Sequence, residues 1–444
     1  MMALYSKQAG YFNAPMLKKL FHPKTFLILL CGLVVFGVLF VVFSLVTPEP
    51  ARVSSPISLD YGPEDPRFGR DLSFHLSAPL VEGNALRLLR NGDEIYPPQL
   101  EAMRQARHHI HIETYQFHEG DLTREILDVL KERLAAGVEV RLILDFAGSA
   151  KADFGALRDL EDQGAVVVRW RKPRWYQLAR LNHRTHRKLT IIDGRLGFIG
   201  GANLTDNWLG QPESGGYRDN HFEVTGPIVN HLQRAFMGNL VASTGVPLFG
   251  EAYFPELEPT GQSMAQVVLS TPSDGRHRIR KLKLMALASA RSNIRLATAY
   301  FYPDGDFIQA LLDARERGVA VDILLPGEEI DKAFLRLAAQ SHWEEMLEAG
   351  VRFHEYQPSM FHSKLTIIDR EFVSLGSANL DNRSFRINDE ANLNVFDPVF
   401  AEQLIAIFEQ DLASTRAYDL DRWHERSRVD RLRGWLGRTL GAHL

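Results

Sequence analysis

His186 and Lys188, followed by Asp193, recur in this chain as His362, Lys364 and Asp369. The surroundings recur with them. The first copy reads HRKLTIIDGRLGFIGGANLTDN and the second HSKLTIIDREFVSLGSANLDNR. Each copy is therefore His-x-Lys-x4-Asp trailed by Gly-(Gly/Ser)-x-Asn, which adds Asn203 and Asn379. Arginine outnumbers lysine roughly three to one, so a lysine at the same offset twice is informative. Two imidazoles and two ammonium groups suit transfer of an anionic phosphoryl group. One imidazole can attack phosphorus, the other can carry the proton, and the cations can hold the phosphate oxygens.

Two imidazoles that act in one cycle must share one cleft, and the elements around each motif must deliver them there. Residues 99–117 are apolar-periodic and then β-like from Ile110 to Phe117, and residues 282–301 repeat the pattern. Helix-like stretches follow at 122–137 and 306–318. Each ends at a glycine, a helix stop signal, and leads into a strand, Val138–Leu144 or Val319–Leu325. GAVVVRW (164–170) and GVRFHEY (350–356) are further glycine-to-strand steps before each KLTIID. The order strand–helix–strand–helix–strand in both halves predicts a duplicated α/β fold with two similar lobes. A pseudo-twofold axis would bring the two motifs together. With His and Lys two apart on a strand, both side chains share a face.

The composition is that of a globular protein, with 45% hydrophobic and 24% charged residues. A net charge of −4 gives no whole-chain attraction to nucleic acid. The single cysteine, Cys31, excludes an intrachain disulfide. Thr25–Val46 carries no charge and is long enough to span a hydrocarbon core of about 30 Å as a helix. It exceeds a signal-peptide core and no Ala-x-Ala site follows, so a retained anchor is expected. Lys7, Lys18, Lys19 and Lys24 precede it, which predicts a cytoplasmic N-terminus and a soluble part outside the cytoplasm. The expected organisation is a cytoplasmic segment 1–24, a transmembrane helix 25–46 and a linker 47–80. A first lobe 81–255, a second lobe 256–420 and a basic amphipathic C-terminal helix 421–444 follow.

The paired motifs, their asparagine tails and the strand–helix repeat resemble the phospholipase D superfamily over about residues 85–444. RNGDEIYPPQLEAMRQARHHIHIETYQF, YRDNHFEVTGP, TAYFYPD and EYQPSMFHSKLTIID are similar to its bacterial cardiolipin synthase branch. The resemblance implies a duplicated phospholipase D-like α/β fold: two mixed-sheet lobes about a pseudo-twofold axis, plus the N-terminal transmembrane helix. It implies His186 as nucleophile and His362 as acid/base, the reverse assignment remaining open. Lys188 and Lys364 would neutralise the non-bridging oxygens, and Asn203 and Asn379 would donate to them. By the same analogy Asp219 would orient His186 and Glu390 would orient His362, with Asp389 as a substitute. Asp193 and Asp369, the motif acids, would pair within the scaffold. No metal or other cofactor is called for by this scheme.

Other residues have two readings. His183 and His221 are cleft-wall or surface histidines, or in the case of His221 a headgroup contact. His109 and His111 are ordinary strand residues, and Glu113 either faces the cleft or serves the scaffold. Residues 169–188 pack eight cations with Trp170, Trp175 and Tyr176, as a solvated loop or as a rim meeting phosphate and the membrane interface. Leu432, Trp435, Leu436 and Leu440 among arginines describe a surface-lying helix or one docked on its own lobe. The function expected is an anchored transphosphatidylase that joins two phosphatidylglycerol molecules and releases glycerol. The alternatives are hydrolysis of phospholipid, a nuclease, and a lipid-binding remnant. Phospholipid and membrane are the expected partners, nucleic acid is not, and the expected place is a bacterial inner membrane.

Overall fold

The computed structural model describes residues 23–46, 57–172, 182–272 and 276–439. The helix Pro23–Val46 belongs to a unit of its own. Its segment Pro23–Val41 is long and apolar enough to cross a membrane, and its side chains are unpacked. Everything from Arg52 onward that is described forms the second unit.

That unit is built on a fifteen-stranded sheet, with two further short strands paired in parallel apart from it. The first half supplies β1 (Val81–Arg90), β2 (His109–Thr114), β3 (Glu139–Asp145), β4 (Val166–Trp170), β5 (Leu189–Ile192), β6 (Leu196–Gly200) and β7 (Asn220–Thr225). The second half supplies β8 (Ser263–Ser270), β9 (Asn293–Ala297), β10 (Phe301–Tyr302), β11 (Ala320–Pro326), β12 (Arg352–Tyr356), β13 (Leu365–Ile368), β14 (Phe372–Gly376), β15 (Leu380–Asp381), β16 (Glu390–Phe396) and β17 (Thr415–Tyr418). The fifteen-stranded sheet runs β17-β12-β11-β9-β13-β14-β16-β8-β1-β7-β6-β5-β2-β3-β4. Reading outward from the central antiparallel pair β1–β8, the order of one half repeats that of the other. Equivalent strands pairing antiparallel place a local twofold at their junction. Within each half β2-β3-β4 and β9-β11-β12 are parallel and the rest antiparallel, so the sheet is mixed.

Local signals account for the helices. Asp304 caps Gly305–Glu316 by accepting from the Phe307 amide, and Asp397 caps Pro398–Leu412 from two amides. Gly137 and Gly318 follow equivalent helices with φ of 85°, a conformation that suits glycine. The helices Val229–Thr244 and Pro398–Leu412 share one apolar core that includes Phe222, Phe236, Phe400 and Phe408 from both halves. Phe222 and Phe400 meet edge to face at 6.0 Å across the lobes. The lobes are thus joined by both a strand pair and a common core.

Two expectations need correction. Residues 57–80 are more than a linker: Asp65 and Pro66 start a helix, Pro66–Leu76, that buries Phe68, Leu72 and Leu76. Phe68 packs edge to face on Phe372 of the second lobe at 5.3 Å. Apolar residues at four-residue spacing outweigh the proline- and charge-rich composition around them. The motif histidines and lysines, moreover, lie just before β5 and β13 rather than inside them. The histidine backbones bond instead to the opposite lobe.

Candidate active site

Each motif approaches its strand through a cross-lobe bridge. The His186 amide donates to the Asp389 carbonyl at 2.9 Å, and the Asp389 amide donates to the Arg184 carbonyl at 2.8 Å. Symmetrically, the His362 amide donates to the Arg218 carbonyl at 2.7 Å, and the Arg218 amide to the Met360 carbonyl at 3.0 Å. The residue after each bridging position, Glu390 or Asp219, then lies under the histidine of the other lobe. His186 Nδ1 is 3.0 Å from Glu390 Oε1, and His362 Nδ1 is 2.8 Å from Asp219 Oδ2. This overturns the expected pairing of Asp219 with His186 and of Glu390 with His362. Nearness in sequence misled because each carboxylate directly follows a residue, Arg218 or Asp389, whose backbone bridges to the facing lobe. Asp389 is no substitute. It accepts from Trp170 Nε1 at 3.0 Å and uses its backbone for the bridge.

All six groups are buried, with His186 8% and His362 5% exposed and both carboxylates at 0%. Lys188 Nζ donates to the His186 carbonyl at 2.6 Å, and Lys364 Nζ donates to that of His362. Lys364 Nζ also lies 2.9 Å from His362 Nδ1. That nitrogen cannot donate to Asp219 and accept from Lys364 at once. With Asp219 ionised, the proton sits on Nδ1, and Nε2 carries the lone pair. The same tautomer follows for His186 over Glu390.

Electrostatics fit that arrangement. Burial pushes His186 down to about 4 and His362 down to about 3, and the nearby lysines add to the shift. Both imidazoles are therefore neutral at pH 7. Burial opposes ionisation of Glu390, but His186, Lys188 and the Ser377 hydroxyl prevail and hold it at about 2. Asp219 is likewise lowered, by His362, Lys364 and Trp208 against burial. Burial lowers Lys188 to about 7 and Lys364 to about 8, so their charge depends on company. Each histidine feels the lysine of the other motif, which places the four groups in one electrostatic neighbourhood.

The motif acids hold the scaffold. Asp193 accepts from the amides of Arg107, His108 and His109 at 2.8–2.9 Å. Asp369 accepts from those of Arg291, Ser292 and Asn293 at 2.8–3.0 Å. Both fix the start of the neighbouring strand, β2 or β9. Asn203 Oδ1 accepts from the Gln116 amide at 3.1 Å, while the Asn379 backbone N–H donates to Ser384 Oγ at 3.1 Å. Neither side-chain Nδ2 has an acceptor among the described residues.

Several residues escaped the sequence reading. Trp208 Nε1 donates to Asp219 at 2.9 Å, and its ring meets His362 edge-on at 5.0 Å. Ser377 Oγ donates to Glu390 Oε2. Tyr115 stands 5.4 Å from His186, with Lys188 Nζ 5.5 Å from its ring, and Tyr217 stands 6.1 Å from His362. Ser377 was visible within the motif tail. For the aromatics the only signal was a large side chain in a polar loop. Glu113 does not face the cleft. It is buried against Thr185, Asn239 and Arg187, and so supports the residue preceding His186. His221 is buried and its Nδ1 has no partner among the described residues, so it is not a rim contact. His109 and His111 stack under Phe236 and Tyr253. His183 is half-buried next to the first motif.

Trp170 is 6% exposed and bonded to Asp389, which removes it from the expected basic–aromatic rim. Trp175 and Tyr176 lie outside the described residues. The C-terminal helix Arg428–Thr439 is docked on its own lobe: at Gly434 the Leu337 carbonyl oxygen would lie 2.9 Å from an added Cβ. Among the described residues, no group of three or more His, Cys, Asp or Glu is placed to hold a metal ion.

Comparison with known proteins agrees with this geometry. A family model described as "Cardiolipin synthase, PLD-like domain" matches residues 100–236 and 284–412, one match per lobe. The chain is 36% identical to the cardiolipin synthase 2 of Bacillus anthracis, over 77% of this chain and 67% of that one. It is 34% identical to a cardiolipin synthase of Alkalihalophilus pseudofirmus, over 80% of this chain and 71% of that one. The crystal structure of the phosphatidylserine synthase of Haemophilus influenzae superposes with a TM-score of 0.65 at 14% identity, covering 85% of this chain and all of that one. That last likeness is one of fold. With a motif histidine in each matched half and one shared cleft, the chain belongs to the cardiolipin synthase family of phospholipase D-like proteins.

Proposed function

We propose that this protein is a phosphatidyltransferase of the cardiolipin synthase type, taking a phosphatidyl group from one phosphatidylglycerol to a hydroxyl of a second and releasing glycerol. The observation that carries the reading is the crossed assembly of the site. Each neutral imidazole is held by a carboxylate of the other lobe, with a lysine beside each. Such a site has one nucleophile and one proton carrier for a double displacement.

In the first half-reaction His186 Nε2 attacks phosphorus and the P–O bond to glycerol breaks. His362 delivers a proton from Nε2 to the leaving alkoxide. The His362 cation so consumed is supplied on substrate binding. Burial and the lysines disfavour it, but an anionic phosphodiester between Lys188 and Lys364 favours extra positive charge. Asp219 stabilises that cation at Nδ1 as Glu390 stabilises the charge on phosphorylated His186. In the second half-reaction His362 takes the proton of the acceptor hydroxyl. The new P–O bond forms, and the P–N bond to His186 breaks. Asn203 and Asn379 Nδ2 donate to the non-bridging oxygens together with the lysines. One phosphodiester replaces another, so no nucleotide or other energy source is needed. Hydrolysis is the same cycle with water as acceptor. The apolar helix Pro23–Val46 and the lipid-synthesising relatives favour an anchored enzyme at a membrane over a nuclease. The lysines that precede this helix favour a soluble unit on the non-cytoplasmic side.

The test is product analysis by mass spectrometry after supplying purified protein with phosphatidylglycerol in mixed micelles. Cardiolipin and glycerol in equal amounts are expected. Phosphatidic acid as sole lipid product would make the protein a hydrolase.

A further inference from the structure

The second lobe holds a largely apolar pocket. It is open at its mouth, and its walls include Ala299, Leu325, Ile330, Leu335, Ala339 and Trp343. Its polar edge is formed by Tyr300 and Asp381. Both connect it to the catalytic cleft. Asp381 lies within electrostatic reach of Lys364 and Glu390, and Tyr300 within reach of Tyr217, whose ring is 6.1 Å from His362. The loop after β11 leads to the helix Ala333–Gln340, which forms part of the pocket wall.

The outside of that wall is apolar and basic. Phe334 is 43% exposed on it. The helix Arg428–Thr439 docks against it and shows Val429 and Leu432, 55% and 57% exposed, beside exposed Arg428 and Arg431. Such a surface suits the interface of an anionic bilayer. Trp343, one of the lining residues, has a buried Nε1–H with no acceptor among the described residues. An ester carbonyl would satisfy it.

We propose that the pocket receives the ester-proximal part of one acyl chain of the lipid whose headgroup lies beside His362. This rests on the lipid-transfer reading above and adds to it where a tail goes and which lobe selects it. The occupant follows from the page: an apolar chamber joined to an anion-binding cleft on one side and to a bilayer-suited surface on the other fits a diacyl phosphodiester.

The test uses the full-length protein and two water-soluble substrates, dibutanoyl- and dioctanoyl-phosphatidylglycerol. The wild type is expected to prefer the longer chain in kcat/KM. Ala339→Phe puts a ring into the chamber and should cut that preference about tenfold, the effect of losing roughly two buried methylene groups. An unchanged preference in a folded variant overturns the proposal. Should that variant not fold, Ile330→Ser makes the half-buried wall polar, and the same comparison applies. A second measurement uses phosphatidylglycerol carrying a diazirine near the ester end of its chain. Label in peptides spanning 299–302 or 325–343 is expected, and label confined elsewhere overturns the proposal. Failure of the wild type to turn over either lipid would instead sink the lipid-transfer reading itself.

Discussion

His186 over Glu390 and His362 over Asp219 are the same device built twice, and they differ in what holds the carboxylate. Glu390 accepts from the Ser377 hydroxyl and, at 3.3 Å, from Asn388 Nδ2. Asp219 accepts from the Trp208 indole at 2.9 Å and from the Asn220 amide at 2.8 Å. The position equivalent to Ser377 is Gly201, where an added Cβ would fall 2.3 Å from Asp219 Oδ1. A glycine makes room for the shorter acid there, and a tryptophan from a nearby loop replaces the lost hydroxyl. Beneath the motifs the halves diverge further. Arg187 is buried and donates to the Ala235 carbonyl at 2.8 Å, whereas its counterpart Ser363 accepts from Asn220 at 2.8 Å. Duplication has kept the crossed geometry and released the supporting layer. Different support is what two imidazoles need if one is to attack and the other to carry a proton.

Removing either imidazole should have the largest effect. His186→Ala and His362→Ala are each expected to lower transfer by more than about 10³-fold while melting stays near that of the wild type, as for catalytic groups that act as a unit. Activity above a few per cent in both folded variants would end the two-histidine account. A good leaving group should then separate the two. On a nitrophenyl phosphodiester, which needs little protonation, His362→Asn should regain part of its first step and His186→Asn should not.

The crossing itself is tested by the carboxylates. Glu390→Gln and Asp219→Asn should each cost about 10²–10⁴-fold through loss of the correct tautomer. Double-mutant cycles should show strong coupling for His186 with Glu390 and for His362 with Asp219. Stronger coupling within a lobe, His186 with Asp219, would contradict the structure. One layer out, Ser377→Ala and Trp208→Phe each remove one hydrogen bond to a charged group, worth about 1.5–3 kcal/mol, or about 10–100-fold in rate. Gly201→Ala should disturb Asp219 by collision, so its damage should appear at the His362 end and be partly rescued by the nitrophenyl substrate, as for His362→Asn.

The lysines set the pH dependence. Their pKa values lie below the usual lysine range, so each is charged below its folded value and loses charge as pH rises through about 7 for Lys188 and about 8 for Lys364. An anionic substrate stabilises the charged forms and moves the loss to higher pH. The kcat/KM for phosphatidylglycerol should therefore fall through pH 7–8 while kcat persists further into the alkaline range. Coincident profiles would show that the lysines do not meet the phosphate. The smallest effect is expected from chelation. Because two lysines supply the positive charge, EDTA should change the rate by less than about twofold, and restoration of a lost rate by a divalent ion would refute that assignment.

Much of this was legible in the chain. The repeated His-x-Lys-x4-Asp marks both halves, and the glycines at 137 and 318 mark equivalent helix ends because only their backbone suits that turn. Partnership was not legible. Local spacing ties Asp219 to the first motif and Glu390 to the second, and only the cross-lobe bridges of Thr185 with Asp389 and of Arg218 with Phe361 exchange them. The helix Pro66–Leu76 was hidden by its proline-rich flanks, and Trp208 by a loop whose register no periodicity fixes.

The central claim is that His186, oriented by the opposite lobe, carries the phosphatidyl group between the two half-reactions. Its most direct test is to mix enzyme with phosphatidylglycerol labelled in the phosphate, quench within the first turnover, and map acid-labile label to peptides. The account predicts label on the peptide containing His186, in the wild type and, with the nitrophenyl substrate, in His362→Asn. Label on the His362 peptide, together with rescue of His186→Asn, would contradict it.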